Sequence, residues 1–430
     1  MTDARHVVTV RIASEFKRFP DIGMKPLDIG MLEPRDASLA RAIDHAIHRR
    51  WVTLSALISH ASNKTVSKLD PPVGATLLVA TAQLMILDRI PDHAVIHCAV
   101  DWIKNNGHPR AAGFVNAVLR NITRLRGELL ETTDARKSNQ FLRNDGTAWQ
   151  LAEPVFKAGI STQTGFLARC WARLVEELGE RVAGEVAVGS ITEAPVIVTV
   201  PSGEILPKSI TPHQEANFGI VPPGTNLAAL FSESKTLRAQ DPTSAKAVEF
   251  VKDIQVQRIL DVCAGRGTKT KQLRALFPNA MIGATEPNDS RREYLQEVAR
   301  VINAEVYSAE TGGPTEPFDL VVVDVPCSNS GVFARRPEAR YRYDQKHIRS
   351  LVTLQQEILT GGVKVLQNKG YLLYATCSID SAENTSQVQW VTKHLPVKHI
   401  DDKLIMPSGY PGSDPTTWHD GGFVALFQRR

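Results

Sequence analysis

The sequence predicts a multidomain protein in which an all-α domain precedes a doubly wound α/β domain, with a small α+β domain between them. Apolar residues recur at helical spacing through most of residues 34–126, where the alternation typical of strands is scarce. From residue 247 onward, apolar strands alternate with amphipathic helices, the pattern of a parallel sheet covered on both faces. A chain of 430 residues has room for about two to four domains.

The composition is that of an ordinary globular protein. Hydrophobic residues make up 43% of the chain and charged residues 22%, which excludes a disordered, collagen-like or coiled-coil protein. The formal net charge of +4 permits a nucleic-acid partner but does not demonstrate one. The small basic excess lies in the first 130 residues, as expected for a basic binding module joined to a near-neutral catalytic one, although chance fluctuation explains it equally well.

Cysteine usage and the N-terminal sequence predict a cytoplasmic protein. Five cysteines are an odd number without tight spacing, so we expect no disulfide framework. The first residues lack the basic, apolar and small-residue regions of a secretory signal. The most apolar stretch, residues 73–87, contains polar side chains and is too short to span a bilayer, so a buried helix is expected there and no membrane partner.

The predicted elements divide the chain at positions where the hydrophobic periodicity changes. We expect a helical domain over residues 1–130, a polar linker over 131–160, a small α+β domain over 161–235 and an α/β domain over 236–430. The last helix of the first domain carries Arg120, Arg124 and Arg126 towards its C-terminal end. These arginines can bind phosphate, but complementing the helix dipole is a sufficient explanation for any single helix.

A glycine-containing turn follows the first strand of the α/β domain. Gly265 and Gly267 lie in this turn, and a turn of this kind lets a cofactor approach the backbone at the carboxyl edge of the sheet. The third glycine of the dinucleotide fingerprint is absent, which weakens a nicotinamide interpretation. Glu286 ends the second strand, where a carboxylate can accept hydrogen bonds from ribose hydroxyls, so any adenosyl cofactor fits, S-adenosylmethionine (SAM) included.

Two cysteines end two later strands of the same sheet. Asp324 and Cys327 follow one buried strand, and Cys377 follows another. Because parallel strands present their carboxyl ends at one edge, both thiols can converge in one pocket. Two buried structural cysteines would give the same pattern. A metal site is disfavoured because no Cys-x-x-Cys or paired histidines complete a ligand set, and a disulfide is disfavoured by the compartment.

These motifs are where a resemblance becomes specific: the chain resembles the RsmB/Sun type of RNA cytosine-5 methyltransferases. The first motif of that family matches at Leu260, Asp261, Cys263, Ala264, Gly267, Lys269 and Thr270 and departs at Gly265, Arg266 and Thr268. The cysteine motifs match at Asp324, Pro326, Cys327, Ser328 and Gly331 and at Thr376, Cys377 and Ser378. Further matches are Gln240-Asp241, the Arg335, Pro337 and Glu338 element, the helix with Leu354, Gln355, Ile358 and Leu359, and Glu383-Asn384.

The N-terminal region resembles the NusB-like RNA-binding domain of the same family. The matching pieces are Arg35-Asp36, the Asp88-Arg89-Ile90-Pro91 turn and the run from Phe114 to Arg120. With the catalytic motifs, the resemblance covers about residues 30–126 and 150–428. The fold it implies is a NusB-like helical domain followed by a Rossmann-like SAM-dependent methyltransferase domain.

The resemblance implies transfer of a methyl group from SAM to carbon 5 of a cytosine in RNA, with small-subunit ribosomal RNA as the expected substrate. It assigns the attack on C6 to Cys377, the cytosine N3 and amino edge to Asp324, and help with C5 proton removal and adduct release to Cys327. The implied cofactor contacts are Cys263, Ala264, Gly265, Arg266, Gly267, Thr268, Lys269, Glu286, Glu310 and Asp324. Glu310 is the candidate for the adenine amine. A monomer without a bound metal is expected.

Two competing interpretations stay open at this point. The same chemistry on transfer RNA or on another ribosomal site would use the same core motifs. An RNA-binding ribosome-assembly factor with degenerate catalysis would explain the three departures in the first motif, whereas the presence of both cysteines and Asp324 argues against it.

Overall fold

A computed structural model describes residues 3–430 apart from Met24, Arg89, Lys235, 309–312 and 314–315. Its internal contacts divide the chain into two compact units. Unit 1 comprises Met1–Glu193, Phe333–Tyr343 and Tyr410–Ser413, and unit 2 comprises Ala194–Val332, Asp344–Gly409 and Asp414–Arg430.

Unit 1 is mainly helical. Its first five helices are α1 (Ala4–Phe16), α2 (Pro34–Ser62), α3 (Pro71–Met85), α4 (Asp92–Asn105) and α5 (Ala112–Leu125). The chain itself marks where these helices begin, since Asp3 caps α1 and a proline stands at the start of both α2 and α3. Helix α3 is buried along most of its length, which explains the apolar run over residues 73–87. Arg89, in the turn that resembles NusB, lies outside the described residues.

A small antiparallel sheet occupies part of the segment expected to be a linker. Its strands are β1 (Arg126–Leu130), β2 (Gln140–Leu142) and β3 (Ala148–Leu151), in the order β1-β3-β2. Phe141 and Leu151 enter the same hydrophobic cluster as the helices. The segment predicted as a polar linker, residues 131–160, thus contains β2 and β3, because a few buried side chains in a polar stretch form strands through tertiary contacts. Helices α6 (Ile160–Thr164) and α7 (Ala168–Gly189) follow.

Unit 2 begins with a small part made of short strands and one helix. The α+β domain is predicted over residues 161–235, of which residues 161–193 belong to unit 1. Four short strands pair in the order β5-β6-β4-β7, all antiparallel. The elements are β4 (Ile197–Thr199), β5 (Thr211–Pro212), β6 (Phe218–Ile220), α8 (Leu227–Glu233) and β7 (Arg238–Ala239). Strand β4 lies in the β-branched run of residues 195–200.

The rest of unit 2 is a seven-stranded α/β sheet. Its elements are α9 (Pro242–Glu249), β8 (Arg258–Val262), α10 (Thr268–Leu276), β9 (Met281–Thr285), α11 (Asp289–Ile302), β10 (Glu305–Tyr307), β11 (Phe318–Asp324), α12 (Gln345–Lys364), β12 (Leu366–Thr376), α13 (Thr385–His394), β13 (Val397–Ile405) and β14 (Gly422–Arg429). The strand order is β10-β9-β8-β11-β12-β14-β13. The first five strands are parallel, β14 is antiparallel to β12, and β13 is antiparallel to β14.

This topology places the candidate site. The chain order reverses between β8 and β11, and ligands of open α/β sheets bind beside the carboxyl ends of the strands at that point. The loops after β8, β9, β11 and β12 all begin at this edge. The predicted fold class, a helical N-terminal domain with a Rossmann-like α/β domain and a small α+β part between them, is confirmed. In the described residues, no helix combines the length and apolarity that a membrane span requires.

The segment Phe333–Tyr343 follows the first cysteine motif but belongs to unit 1, where Arg340 anchors it. Arg340 is fully buried and donates to the carbonyl oxygens of Arg49 and Thr164 and to the hydroxyl of Ser190. Burial lowers the pKa of Arg340 to about 10, so its guanidinium still carries a charge at neutral pH. If the Arg340 guanidinium is removed, the buried oxygen atoms that accept from it lose their hydrogen-bond donor, so we expect the folded state to be destabilised.

We predict that Arg340→Met lowers the free energy of unfolding by about 2 kcal/mol or more, because each buried acceptor left without a donor costs about 1–3 kcal/mol. Urea unfolding followed by tryptophan fluorescence measures the change. Arg342→Met is the control: its ion pair with Asp21 is long, at 3.8 Å, and partly exposed, so a change within about 0.5 kcal/mol is expected. Equal destabilisation by both variants would contradict the anchoring role of Arg340.

Candidate active site

The loop between β8 and α10 has the backbone geometry of a ligand-binding turn. Gly265 and Gly267 have φ angles of +60° and +81°, a region in which glycine is not strained. Cys263 has a φ of +63°, which is uncommon for a residue with a side chain and marks a constrained loop. Among the described residues, and apart from the two chain neighbours of Gly265, no atom comes within 4 Å of the position that a Cβ at Gly265 would occupy. The turn therefore leaves its backbone open to a ligand.

Glu286 lies directly after β9 and forms a hydrogen bond with this turn. One carboxylate oxygen accepts a hydrogen bond from the Gly265 amide at 2.9 Å. The other accepts from the Asn288 amide at 2.9 Å and forms an ion pair with Arg291 at 3.1 Å. A carboxylate offers about four acceptor positions, so the protein already uses most of them. The acceptor position that remains on the Glu286 carboxylate suits one ribose hydroxyl. A second ribose hydroxyl can bind only if Arg291 moves away from the carboxylate.

Asp261 is a buried acid beneath the same loop. One of its oxygens accepts from the Thr270 hydroxyl at 2.6 Å, and the other is buried without a hydrogen-bond partner among the described residues. Burial raises the pKa of Asp261 to about 7, against the opposing effect of the Thr270 bond. An open glycine turn, an acid after β9 and a buried unpaired oxygen fit a polar adenosyl cofactor.

The remaining residues expected to contact the cofactor lie in different parts of the site. Arg266 is exposed and its guanidinium lies 5.4 Å from the ring centroid of Tyr294 on α11. Thr268 begins α10. The ammonium group of Lys269 donates to Asp324 at 2.7 Å and to the Ser244 hydroxyl at 3.3 Å, so it lies beside the cysteine loops. Glu310 lies outside the described residues.

The two cysteine motifs come together after β11 and β12, which are neighbouring parallel strands. The sulfur atoms of Cys327 and Cys377 are 3.1 Å apart, and both cysteines are free thiols. The Cys377 thiol and burial together raise the pKa of Cys327 well above its usual value, which keeps Cys327 protonated at neutral pH. The predicted convergence of the two thiols in one place is thus what the structure contains.

Cys263, the third cysteine near this edge, differs from the other two. Burial, reinforced by the carboxylates of Glu286 and Asp324, raises the pKa of Cys263 to about 12. A thiol with so high a pKa has almost no thiolate at neutral pH and is a poor nucleophile. Cys263 therefore belongs to the constrained turn and not to the pair of adjacent sulfurs.

A small cavity of about 110 Å³ opens beside Cys377. Besides Cys377, its polar lining consists of Thr243, Ser244, Lys269, Asp324, Thr376, Lys403 and Asp420. Burial alone would lower the pKa of Lys269, but the adjacent Asp324 carboxylate outweighs it and leaves that pKa above its ordinary value. Lys269 and Asp324 thus form a charged pair in the wall of the cavity, and Lys403 adds an exposed cation.

A buried carboxylate, Glu383, joins the two cysteine loops. One of its oxygens accepts from the Ser328 amide and from the Gln355 side chain, both at 2.9 Å, and the other accepts from the Ser378 hydroxyl at 2.6 Å. Ser328 and Ser378 are the residues that directly follow the two cysteines. Burial raises the pKa of Glu383, although hydrogen bonds from the serines oppose the rise.

Neighbouring polar groups complete this support. The hydroxyl groups of Ser328, Ser330 and Ser378 lie 3.0–3.2 Å from one another. Asn384 accepts from the Thr376 hydroxyl at 2.8 Å and donates to the Ser378 carbonyl at 2.9 Å. Both cysteines are therefore held by loops whose polar groups bond mainly to each other.

Sequence reasoning missed several residues of this site. The motif matches include Glu383 but give it no role, and Ser244 and Lys403 carried no signal. Glu383 lies 6 residues after Cys377 but 56 residues after Cys327, so its contact with the first cysteine loop depends on folding. Asn329 could have been noticed from its place directly after the motif residue Ser328, since asparagine favours turns with positive φ.

The fold and the site together define a class. A seven-stranded sheet of this order, with a glycine turn after β8 and an acid after β9, is the framework of a Rossmann-like methyltransferase. The predicted cofactor, S-adenosylmethionine, is confirmed by the methyltransferase family model that matches this part of the chain.

Two family models match separate parts of the chain. Residues 248–410 match the model of 16S rRNA methyltransferase RsmB/F, and residues 9–124 match that of the NusB family. Both matches confirm the resemblance found from the motifs, to RsmB/F methyltransferases in the C-terminal part and to NusB proteins in the N-terminal part.

Individual relatives agree with this assignment along most of the chain. Ribosomal RNA small subunit methyltransferase B of Vibrio cholerae is 28% identical over 400 residues, covering 89% of this chain and 85% of the relative. The protein of the same name from Xylella fastidiosa is 27% identical over 363 residues, covering 83% and 82%. The crystal structure of PH0851 is 18% identical, covers 99% of both chains and has a TM-score of 0.69, which shows a shared fold.

We predict that Glu383→Ala lowers the free energy of unfolding by at least about 2 kcal/mol, because several buried donors lose their acceptor. Glu383→Gln should cost less than about 1 kcal/mol, since its carbonyl still accepts from Ser328 and Gln355 and its amide can donate to Ser378. Between the ordinary pKa of glutamate and the raised one, wild-type stability falls as the pH rises.

Urea unfolding at several pH values measures both effects. The Gln variant should lack the contribution of Glu383 to that pH dependence, because it carries no titratable group at this position. An Ala variant as stable as the Gln variant would show that Glu383 does not hold the two loops.

Proposed function

From two thiols in contact beside a charged Lys–Asp pair, we propose that this chain methylates carbon 5 of a cytosine in small-subunit ribosomal RNA through a covalent cysteine adduct. The observation that carries the proposal is the 3.1 Å separation of the Cys327 and Cys377 sulfurs at the carboxyl edge of a methyltransferase sheet. The ribosomal substrate is supported by the RsmB/F family match and by the names of the curated relatives.

Cytosine chemistry explains why such a site needs a thiol. Carbon 5 of cytosine is too weak a nucleophile to take a methyl group directly. When the Cys377 thiolate forms a bond from Sγ to C6, the C5–C6 double bond becomes an enamine and C5 gains electron density. Cys377 lines the cavity, whereas Cys327 is buried and protonated, so Cys377 is the residue that can meet the base.

Asp324 is placed to recognise the cytosine ring. Its side chain is about a third exposed and lies in the cavity wall next to Cys377. A carboxylate there can accept from the amino group and stabilise a proton on N3 as the adduct forms. The ammonium group of Lys269 donates to Asp324 at 2.7 Å and fixes the position of its carboxylate, so this pair acts as one recognition unit.

Cys327 completes the reaction after methyl transfer. The C5–H bond and the Cys377 Sγ–C6 bond must then break, with the C5 proton going to a base and the electron pair of the C–S bond returning to sulfur. Cys327 starts as a thiol, so its S–H proton goes to the leaving sulfur of Cys377, 3.1 Å away. The Cys327 sulfur, left as a thiolate, takes the C5 proton, and both cysteines end the reaction as thiols.

The cofactor residues belong to the turn after β8 and to the end of β9. S-Adenosylmethionine supplies an electrophilic methyl group when it is bound. We assign ribose recognition to Glu286 and the close backbone approach to the turn formed by Cys263, Ala264, Gly265, Arg266, Gly267 and Thr268. Glu310 stays a proposal for the adenine amine, since it lies outside the described residues.

RNA reaches the site through cationic groups. A base can enter the cavity only after it leaves its stack, and its flanking phosphates then lie at the cavity rim. Lys403 is an exposed cation in that lining. We assign residues 1–130, the NusB-like part, to RNA backbone binding, where Arg120 and Arg124 on α5 are exposed, while Arg126 is paired with Asp92 and is less available.

We predict that Cys377→Ala abolishes methylation while SAM binding is retained, because the nucleophile is lost and the cofactor turn is not touched. Cys327→Ala should accumulate a covalent protein–RNA adduct, because adduct formation proceeds and release is impaired. A denaturing gel with labelled RNA detects the adduct as a slow band, and isothermal titration calorimetry measures SAM binding.

The double variant Cys327→Ala/Cys377→Ala should form no adduct, and Cys98→Ala, a change on α4, should behave like the wild type. An adduct that persists in the double variant would assign the attack to another residue. Normal turnover by Cys377→Ala would exclude the proposed chemistry.

We predict that Lys403→Gln weakens RNA binding and lowers the slope of log affinity against log salt by about 0.7, the contribution of one phosphate contact in single-stranded nucleic acid. Lys398→Gln is a matched control, because Lys398 is an exposed lysine on the same strand, β13, but does not line the cavity. Salt-dependent RNA binding by fluorescence anisotropy measures the slopes. Equal slopes for the two variants would remove Lys403 from the RNA path.

A further inference from the structure

Asn329 contacts both cysteine motifs with one side-chain amide. Its Nδ2 donates to the backbone carbonyl of Cys327 at 3.0 Å, and its Oδ1 accepts from the Cys377 thiol at 3.3 Å. The residue lies two positions after Cys327 and has a φ of +59°, a backbone conformation that asparagine tolerates better than most residues.

The orientation of this amide follows from its partners. The Cys327 carbonyl can only accept a hydrogen bond, so it selects the NH2 group of Asn329. The carbonyl oxygen of Asn329 must then face Cys377, and an oxygen can accept from a thiol but has no proton to offer a thiolate. The protonated Cys327 can donate its thiol proton to the sulfur of Cys377, and Cys377 donates its own thiol proton to Asn329.

We propose that Asn329 is a positioning residue that holds Cys377 in its protonated form and fixes the direction of its sulfur until RNA enters. Loss of the thiol proton turns an attractive S–H···O contact into a repulsive one between thiolate and amide oxygen. Asn329 thereby opposes premature formation of the thiolate, which protects a half-buried nucleophile from alkylation and oxidation.

The other groups around Cys377 do not substitute for this effect. Cys327 can donate to Cys377 and so favours the thiolate, and the charge of Lys269, which is paired with Asp324, acts in the same direction. Lys403 and Asp420 line the same cavity. Of the contacts to the Cys377 sulfur in the described structure, that of Asn329 is the one made by a neutral acceptor.

This inference rests on the proposed role of Cys377 as the nucleophile, but its test needs no RNA. The rate of Cys377 alkylation by iodoacetamide is followed by peptide mass spectrometry over a range of pH. Each rate is divided by the plateau rate at alkaline pH, which corrects for differences in access of the reagent to the sulfur. The pH midpoint of the curve then reports the balance between thiol and thiolate.

Asn329→Gly removes the amide and keeps the positive φ, and it should move the midpoint to lower pH. At neutral pH the corrected alkylation rate should rise about 2- to 10-fold, which is what one neutral hydrogen bond contributes. Asn329→Asp places a negative acceptor at the same atoms and should move the midpoint to higher pH. Asn303→Gly, at another positive-φ asparagine that ends α11, should leave the midpoint unchanged.

An unchanged midpoint in the Gly variant, or one that moves upward, would overturn the proposal, since an upward shift means that the amide donates to sulfur. If the Gly variant fails to fold, the isosteric Asp variant gives the same test through its opposite shift. Failure of the proposed function is separable: the midpoints would shift as expected while Cys377→Ala still methylated RNA.

Discussion

The contact between the two cysteines depends on the parallel pairing of β11 with β12. The buried carboxylate of Glu383 then holds together the loops that follow these two strands. Parallel neighbours end at the same edge, so the residues that follow them are brought within contact distance whatever their separation in sequence. Cys327 and Cys377 are 50 residues apart in the chain and 3.1 Å apart at their sulfurs. Pairing alone sets the distance between strands and leaves the loops free. Glu383 removes that freedom, because it binds the residues that directly follow both cysteines.

Each thiol has a different electrostatic environment, and this difference matches the roles that we propose. Cys327 is buried and keeps its proton, as a residue needs to do if it acts only after the adduct has formed. Cys377 faces a cavity with an ion pair in its wall and a neutral amide oxygen at its sulfur. The cofactor turn lies after β8, on the other side of β11 from β12. Strand β11, which ends in Asp324, therefore separates the turn that we assign to the cofactor from the cysteine that we propose as the nucleophile.

Elements with a local sequence pattern could be predicted from the sequence, whereas contacts between distant segments could not. The apolar run of β11 and the helical periodicity of residues 34–126 are local signals, and both predict the observed elements. The sheet of β1–β3 was missed because its polar strands are stabilised by a few side chains such as Phe141. Strand pairs β12–β14 and β13–β14 are antiparallel, an arrangement that strand–helix alternation does not reveal. The motifs give the cysteines, but the contacts of Lys269 with Asp324 and of Asn329 with Cys377 depend on how the loops fold.

The central claim is that the methyl group reaches carbon 5 of cytosine in small-subunit ribosomal RNA. The most direct measurement is mass spectrometry of nucleosides released from RNA that the wild-type chain has methylated with isotope-labelled SAM, using small-subunit ribosomal RNA and transfer RNA as separate substrates. We expect the label in 5-methylcytidine and in the ribosomal RNA sample. Label in any other nucleoside would contradict the proposed chemistry, label confined to transfer RNA would contradict the proposed substrate, and SAM binding without label in either RNA would favour a non-catalytic assembly factor.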